Sequence, residues 1–206
     1  MDYICGLDIG QRQDYTASVL INVNKLIDKN SSISKTTIES LEVVAITRFK
    51  LGTFFTDIAD EIASGMTKLL LKSQIQPKLV IDITGNYSIT ELFNAKNNPY
   101  ELFKVVPVII TGGSLSSFDK GVYNVPKYEL IFRTNIALEQ YKLKFAEGMP
   151  FIDILIDELR NYGRSIKESG TEIFNARSGE HDDLVLALSL AVWMCVKDGY
   201  TKTEYI

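Results

Sequence analysis

The chain has 206 residues, of which 46% are apolar and 23% charged, and its formal net charge is −4. That composition reads as one soluble globular domain and excludes a disordered chain; no run approaches the ~20 apolar residues of a membrane span, and no basic-then-apolar leader opens the chain. The mild acidity argues against coating nucleic acid through bulk charge, while one histidine and two cysteines, Cys5 and Cys195, both in apolar runs, exclude a disulfide framework and the usual zinc ligands.

Tyr3 to Gly10 reads as a first strand, with Tyr3, Cys5, Leu7 and Ile9 on one face and Ile4, Gly6 and Asp8 on the other. A polar turn through Asp14 leads to a second β-rich run, Tyr15 to Val23, expected to pair back antiparallel. Asn24 to Thr37 is polar and expected as a loop, and Leu41 to Phe49 gives a third strand. Thr53 to Lys72 then changes period: Phe55, Ile58, Ile62, Met66, Leu69 and Leu70 recur at helical spacing. Lys78 to Asp82 is a short strand ending in an acid. Ser88 to Lys96 is expected as a short helix, with Ser88 as N-cap and Glu91 three residues on. Phe103 to Ile110 is a fifth strand, which Pro107 assigns to an edge or a bulge. Strand, helix, strand, helix, strand in this part implies parallel pairing by right-handed crossovers.

Thr111 to Pro126 is rich in glycine and serine and reads as a long loop of functional use. Helices follow over Lys127 to Glu147 and Ile152 to Tyr162, with a short strand at Thr171 to Asn175 between the second and the last. The closing stretch from His181 to Ala191 is apolar on nearly every side, as a helix without a solvent face must be. The predicted fold is α/β: a mixed five-stranded or slightly larger sheet flanked by helices, in a single domain.

Asp8 and Asp82 stand at strand ends, where open α/β sheets bind ligands. On parallel neighbouring strands they would lie ~5 Å apart, and two bare carboxylates that close repel. A divalent cation removes that repulsion. A third acid from the start of the last helix, Asp182 or Asp183, completes an all-oxygen shell suited to Mg²⁺ or Mn²⁺. Two such ions roughly 3.5–4 Å apart can activate water and stabilise the leaving oxygen of a phosphodiester. Adjacent helix positions point ~100° apart, so Asp182 and Asp183 need not share an ion. His181 and Asp14 are auxiliary candidates, His181 for orienting a water or a phosphate and Asp14 for an outer-shell water, although a turn role suits Asp14 better. Lys127, at a helix start beside the long loop, and Arg177, close to the acidic stretch, are the candidates for DNA phosphates.

Gly6-Leu7-Asp8-Ile9-Gly10 with Asp14-Tyr15-Thr16-Ala17, then Val80-Ile81-Asp82-Ile83-Thr84-Gly85, then Val125-Pro126-Lys127, then Gly179-Glu180-His181-Asp182-Asp183-Leu184-Val185 resembles, in order, the C-terminal nuclease domain of the large terminase subunit of tailed bacteriophages. The resemblance spans nearly the whole chain and is most specific in its last element. It implies an RNase H-like fold and metal-dependent cleavage of concatemeric viral DNA during packaging. It further implies Asp8, Asp82 and Asp183 as the metal-binding and catalytic triad, with Asp182 beside it. The implied partners are double-stranded DNA, a portal protein and a small terminase subunit, in the cytoplasm of the host cell. The sequence departs from the full-length family in having no G-x-x-x-x-G-K-S/T phosphate loop, so ATPase activity is not expected of it. Another RNase H-like nuclease, such as a Holliday-junction resolvase, shares the strand-end acids. An actin-like or sugar-kinase-like ATP-binding domain shares Gly6 to Gly10 alone.

Overall fold

The computed structural model describes residues 1–206 apart from 11–13, 29–34, 94–97, 99, 167–171, 176–180 and 198–206. In chain order the elements are β1 (Asp2–Asp8), β2 (Ala17–Asp28), β3 (Lys35–Arg48), α1 (Phe55–Ser73), β4 (Lys78–Asp82), α2 (Ile89–Glu91), β5 (Lys104–Thr111), β6 (Ser117–Asp119), β7 (Val122–Pro126), α3 (Lys127–Glu139), β8 (Leu143–Phe145), α4 (Ile152–Asn161), β9 (Gly163–Ile166), β10 (Glu172–Asn175) and α5 (Asp183–Cys195). Eight strands form one mixed sheet in the order β6-β7-β5-β4-β1-β2-β3-β8, and β9 pairs with β10 apart from it. β1, β2 and β3 are antiparallel, and β4 and β5 join parallel to β1, as the chain order predicts.

The alternation of β1 divides the interior into two layers. Cys5 and Leu7 point to one face, where Leu79 and Ile81 of β4 meet Ile58, Ile62 and Met66 of α1. Ile4 points to the other, with Ala17, Val80 and the apolar run of α5. Gly6 lies between them on the α5 side. A Cβ there would stand 1.9 Å from the carbonyl oxygen of Ala187, so the α5 backbone lies directly on β1. α3 and α4 cover the outer side of α5, and every residue from Asp183 to Cys195 is buried. The one hydroxyl in this run, Ser189, lies 2.9 Å from that of Thr134 on α3. Burying this helix stabilises the fold by on the order of 10 kcal/mol before the entropy of ordering it. Among the described residues no helix is long and apolar enough to cross a membrane.

The sheet exceeds five strands because three short ones arise where a loop and a helix end are expected. The 111–126 stretch holds the β6–β7 hairpin, closed by Lys120 and Gly121, both at positive φ; such a two-residue turn matches the twist of the strands. The helix from Lys127 ends at Glu139 rather than Glu147. Tyr141 turns left-handed, its N–H donates to Leu138 O, and the Lys142 N–H donates to Ala137 O, a Schellman closure without glycine. The chain then joins the free edge of β3 as β8, where the Leu41 N–H donates to Lys142 O. In the 24–37 segment, β2 runs on to Asp28 and β3 starts at Lys35, so less of it is loop than its polarity suggests.

Two further expectations are corrected. Ser88 is helical and makes no side-chain cap, and the helix it precedes is only Ile89–Glu91. Pro107 is on an interior strand, between β4 and β7. Its neighbours of even number face β4: the Lys104 N–H donates to Pro77 O, and Val108 O accepts from Ile83. The Pro107 nitrogen therefore faces away from β4, on the side where pairing with β7 begins only at Val108. No ladder bond is lost.

Candidate active site

Four carboxylates meet at one end of the sheet. β1 and β4 are parallel and in phase, with Leu7 opposite Ile81, so Asp8 and Asp82 come one step later on neighbouring strands. Both point to the α5 face, as Ile4 and Val80 do. Gly6 seats α5 against β1 at Ala187, one helical turn from Asp183, and this places the N-terminus of α5 over Asp8. The convergence is visible in the charges: burial, then Asp82, Asp183 and Asp182, push the Asp8 carboxyl well above the usual carboxylate range, against the pull of Lys127.

Asp82 is raised by burial, with hydrogen bonds from Thr84 and from Asp8 opposing. Its Oδ1 also accepts from the Thr84 N–H at 2.8 Å, and the Thr84 hydroxyl in turn accepts from the Ile110 N–H at 2.8 Å. It thus caps its own turn while facing Asp8. Asp183 is 4% exposed and is raised by burial, with the Arg48 hydrogen bond as the main opposing influence. Asp182 is nearer the surface and pairs with Lys127 at 2.8 Å. His181, 44% exposed, holds Nδ1 3.8 Å from Asp183 Oδ2 and stacks edge-on against Tyr15. Burial and the charges of Asp182 and Asp8 also raise the Tyr162 phenol, which lies under Lys127.

Of the residues singled out from the sequence, Asp8, Asp82, Asp182, Asp183, His181 and Lys127 come together. Asp14 is exposed and makes none of the hydrogen bonds or ion pairs that join the cluster. Its residue type suits the bend that the chain makes there, with the Gly10 N–H held by the Thr16 hydroxyl at 3.1 Å. Arg177 lies outside the described residues. Among the described residues no three acidic or histidine side chains are arranged, as they stand, to hold one ion. Asp183 is turned to Arg48 and Asp182 to Lys127.

Asp8, Asp82, Asp183 and Glu158 all bind their protons more tightly in the folded chain than in the unfolded one. The folded state then holds the extra protons, so stability falls as pH rises through the folded values. The melting temperature is expected to fall as pH rises from the ordinary carboxylate range to about 7, where Glu158 titrates. Scanning calorimetry checks this, and a flat profile in chelator would separate the acids from one another.

Solved structures share this arrangement of elements. The large terminase nuclease of thermophilic phage G20c with bound magnesium superposes with a TM-score of 0.62 at 20% identity, covering 93% of this chain and 80% of that one. The human cytomegalovirus terminase nuclease domain gives 0.58 at 11% identity, covering 94% and 85%. The nuclease domain of the bacteriophage SPP1 large terminase with bound Mn gives 0.53 at 12% identity, covering 96% and 87%. The chain has the terminase-nuclease fold. No family model and no curated protein matches it.

On this terminase-nuclease fold, two charged residues at the site escaped the sequence reading. Arg48 ends β3 and lies in one cross-strand row with Ala17 and Asp8. The small Ala17 leaves that row open, and the guanidinium reaches Asp183 Oδ2 at 3.0 Å while lying 3.9 Å from the centre of the Tyr15 ring. Glu158 comes from α4, and its Oε2 accepts the N–H groups of Leu184 and Val185 at 2.9 and 3.1 Å. It caps α5 from outside, because Asp182 at the N-cap makes no side-chain cap of its own. Burial pushes Glu158 up to about 7, with those N–H groups and Arg48 opposing. The signal for Glu158 was its place on the apolar stripe of α4, three residues after Leu155.

Proposed function

We propose that this chain is a divalent-cation-dependent endonuclease that cuts double-stranded DNA, in the manner expected of an enzyme resolving concatemeric viral genomes during packaging. The observation that carries the reading is the meeting of Asp8, Asp82 and Asp183 from β1, β4 and α5 at one end of the sheet, where their charges act on Asp8. The donor set is all oxygen and suits Mg²⁺ or Mn²⁺. Support comes also from three neighbours of like fold that were solved with magnesium, cobalt or Mn bound.

In this reading Asp8, Asp82 and Asp183 hold the ions and Asp182 stands at the rim. Bound there, a pair of ions supplies an activated water and positive charge at the scissile phosphate. Asp8 and Asp82 would both have to be ionised to hold such ions, whose charge would offset their mutual repulsion. Lys127, at the start of α3 and paired with Asp182, puts an ammonium group where a DNA phosphate would arrive. His181 is exposed enough to orient a phosphate oxygen or a water. The reading takes the whole chain as one nuclease domain and involves no ATP-driven step. A portal protein and a small terminase subunit are its partners in this reading, and the host cytoplasm is its place of action.

The test is cleavage of supercoiled plasmid with Mn²⁺ or Mg²⁺, without and with chelator, beside cleavage of a four-way junction. Cation-dependent conversion to linear product, with weak sequence preference, is the expected result. Cleavage that persists in chelator would remove the metal centre. Preference for the junction over linear duplex would make the enzyme a resolvase.

A further inference from the structure

Two buried atoms beside the acids have no hydrogen-bond partner among the described residues: Arg48 Nε and Glu158 Oε1. One is a donor and the other an acceptor, and leaving either unpaired in the interior is costly. Their side chains are already neighbours, with Arg48 Nη2 3.7 Å from Glu158 Oε1. Glu158 is held in place, because its other oxygen accepts the N–H groups of Leu184 and Val185. Arg48 has its short contact elsewhere, at Asp183 Oδ2. It also lies over the Tyr15 ring, a surface that attracts a guanidinium without fixing its rotation. A modest turn of that group toward Glu158 would let the Arg48 Nε–H donate to Oε1 and so pair both orphaned atoms. The same turn would free Asp183.

We propose that Arg48 is a counter-ion with two positions, neutralising Asp183 when no divalent cation is bound and moving to Glu158 when one is. Glu158 is then a positioning residue, which receives the guanidinium that the cation displaces. This rests on the metal-centre reading of the acids. The physical drive is charge: a doubly positive ion at Asp183 repels Arg48, and Glu158 Oε1, without a hydrogen-bond partner among the described residues, lies 3.7 Å from its Nη2. Without Glu158 the guanidinium has no second anion and stays in competition for Asp183.

The experiment is a double-mutant cycle on Mn²⁺ affinity, measured by calorimetry on DNA-free protein. In Glu158→Gln the amide oxygen still accepts from Leu184 and Val185, but the amide nitrogen cannot accept from Arg48. Glu158→Gln is expected to weaken Mn²⁺ binding about tenfold with Arg48 present and less than about twofold in an Arg48→Gln background. An equal loss in both backgrounds would mean that Glu158 acts by its charge alone, and would overturn the proposal. A second readout needs no variant: the Arg48 Nε–H resonance should shift on Mg²⁺ titration as it gains an acceptor, and an unmoved resonance counts equally against it. Asp8→Ala separates the two levels. If Asp8→Ala binds Mn²⁺ as wild type does, the metal centre itself falls, and the handover with it. If binding needs Asp8 but the cycle is additive, the handover alone falls.

Discussion

Asp8→Asn is expected to abolish cation-dependent DNA cleavage while raising the melting temperature of the protein in chelator. The two effects share one cause. Asp8 is 7% exposed and faces Asp82, Asp183 and Asp182, and its carboxyl is held well above the ordinary range by burial and by those charges. At neutral pH the folded state therefore carries a cost that the unfolded chain escapes, either a retained proton or a poorly compensated buried charge. An amide of the same shape removes that cost and still hydrogen-bonds to Asp82. The metal-free variant should melt a few degrees higher than wild type. Added Mn²⁺, which should raise the wild-type melting temperature, should do little for the variant. Activity is expected to move the opposite way, because an amide does not balance cation charge. A fall of about a thousandfold or more is expected, corresponding to several kcal/mol of lost transition-state stabilisation. Plasmid nicking and thermal melts on the same preparation decide the matter. If activity and stability fall together, Asp8 is a structural residue, and the metal centre loses its first ligand.

The second large effect touches no acid at all. Gly6→Ala places a Cβ 1.9 Å from the carbonyl oxygen of Ala187 and 3.0 Å from the Ala191 nitrogen, both backbone atoms of a helix packed on every side. Neither the strand nor the helix can yield without disturbing the core, so a loss of about 3 kcal/mol or more is expected. Denaturant unfolding measures it. Whatever protein folds should have α5 lifted from β1, with Asp183 displaced from Asp8, and cleavage should fall with stability. Gly65 is the control: it lies in α1 with nothing within 4 Å of its added Cβ. Gly65→Ala should stabilise by about 0.5–1 kcal/mol through helix propensity, with activity unchanged. Equal tolerance at both positions would mean that α5 does not lie on β1 as described.

Much of the fold was readable because each clue is local. Helical spacing in α1, alternation in β1 and the all-round apolarity of α5 each reflect a burial pattern that neighbouring residues carry together. Asp8 and Asp82 stood out as acids where apolar strands end. What escaped depends on contacts across the sheet. Arg48 reaches Asp183 over Ala17, and no spacing along β3 announces that. Glu158 was the more visible, as an acid on the buried stripe of α4, yet its task is set by a helix that comes later in the chain. The end of α3 was hidden because Tyr141 takes the left-handed position that a glycine usually fills, while Gly148 marked a false stop. The β6–β7 hairpin was masked by the glycine and serine around it, although Lys120-Gly121 between two aromatic residues, Phe118 and Tyr123, was a turn signal.

The all-round burial of α5 has a bearing on how the proposed enzyme would select its cut. A helix walled in by sheet and neighbours cannot travel toward an incoming strand, and neither can the carboxylate at its tip. In that reading the backbone that carries Asp183 would be set before a duplex arrives. Fitting would then fall to the nucleic acid, which would have to bend or open its groove to bring a phosphate within reach. Sites that deform cheaply would be cut first, giving a bias that no side chain reads from the bases.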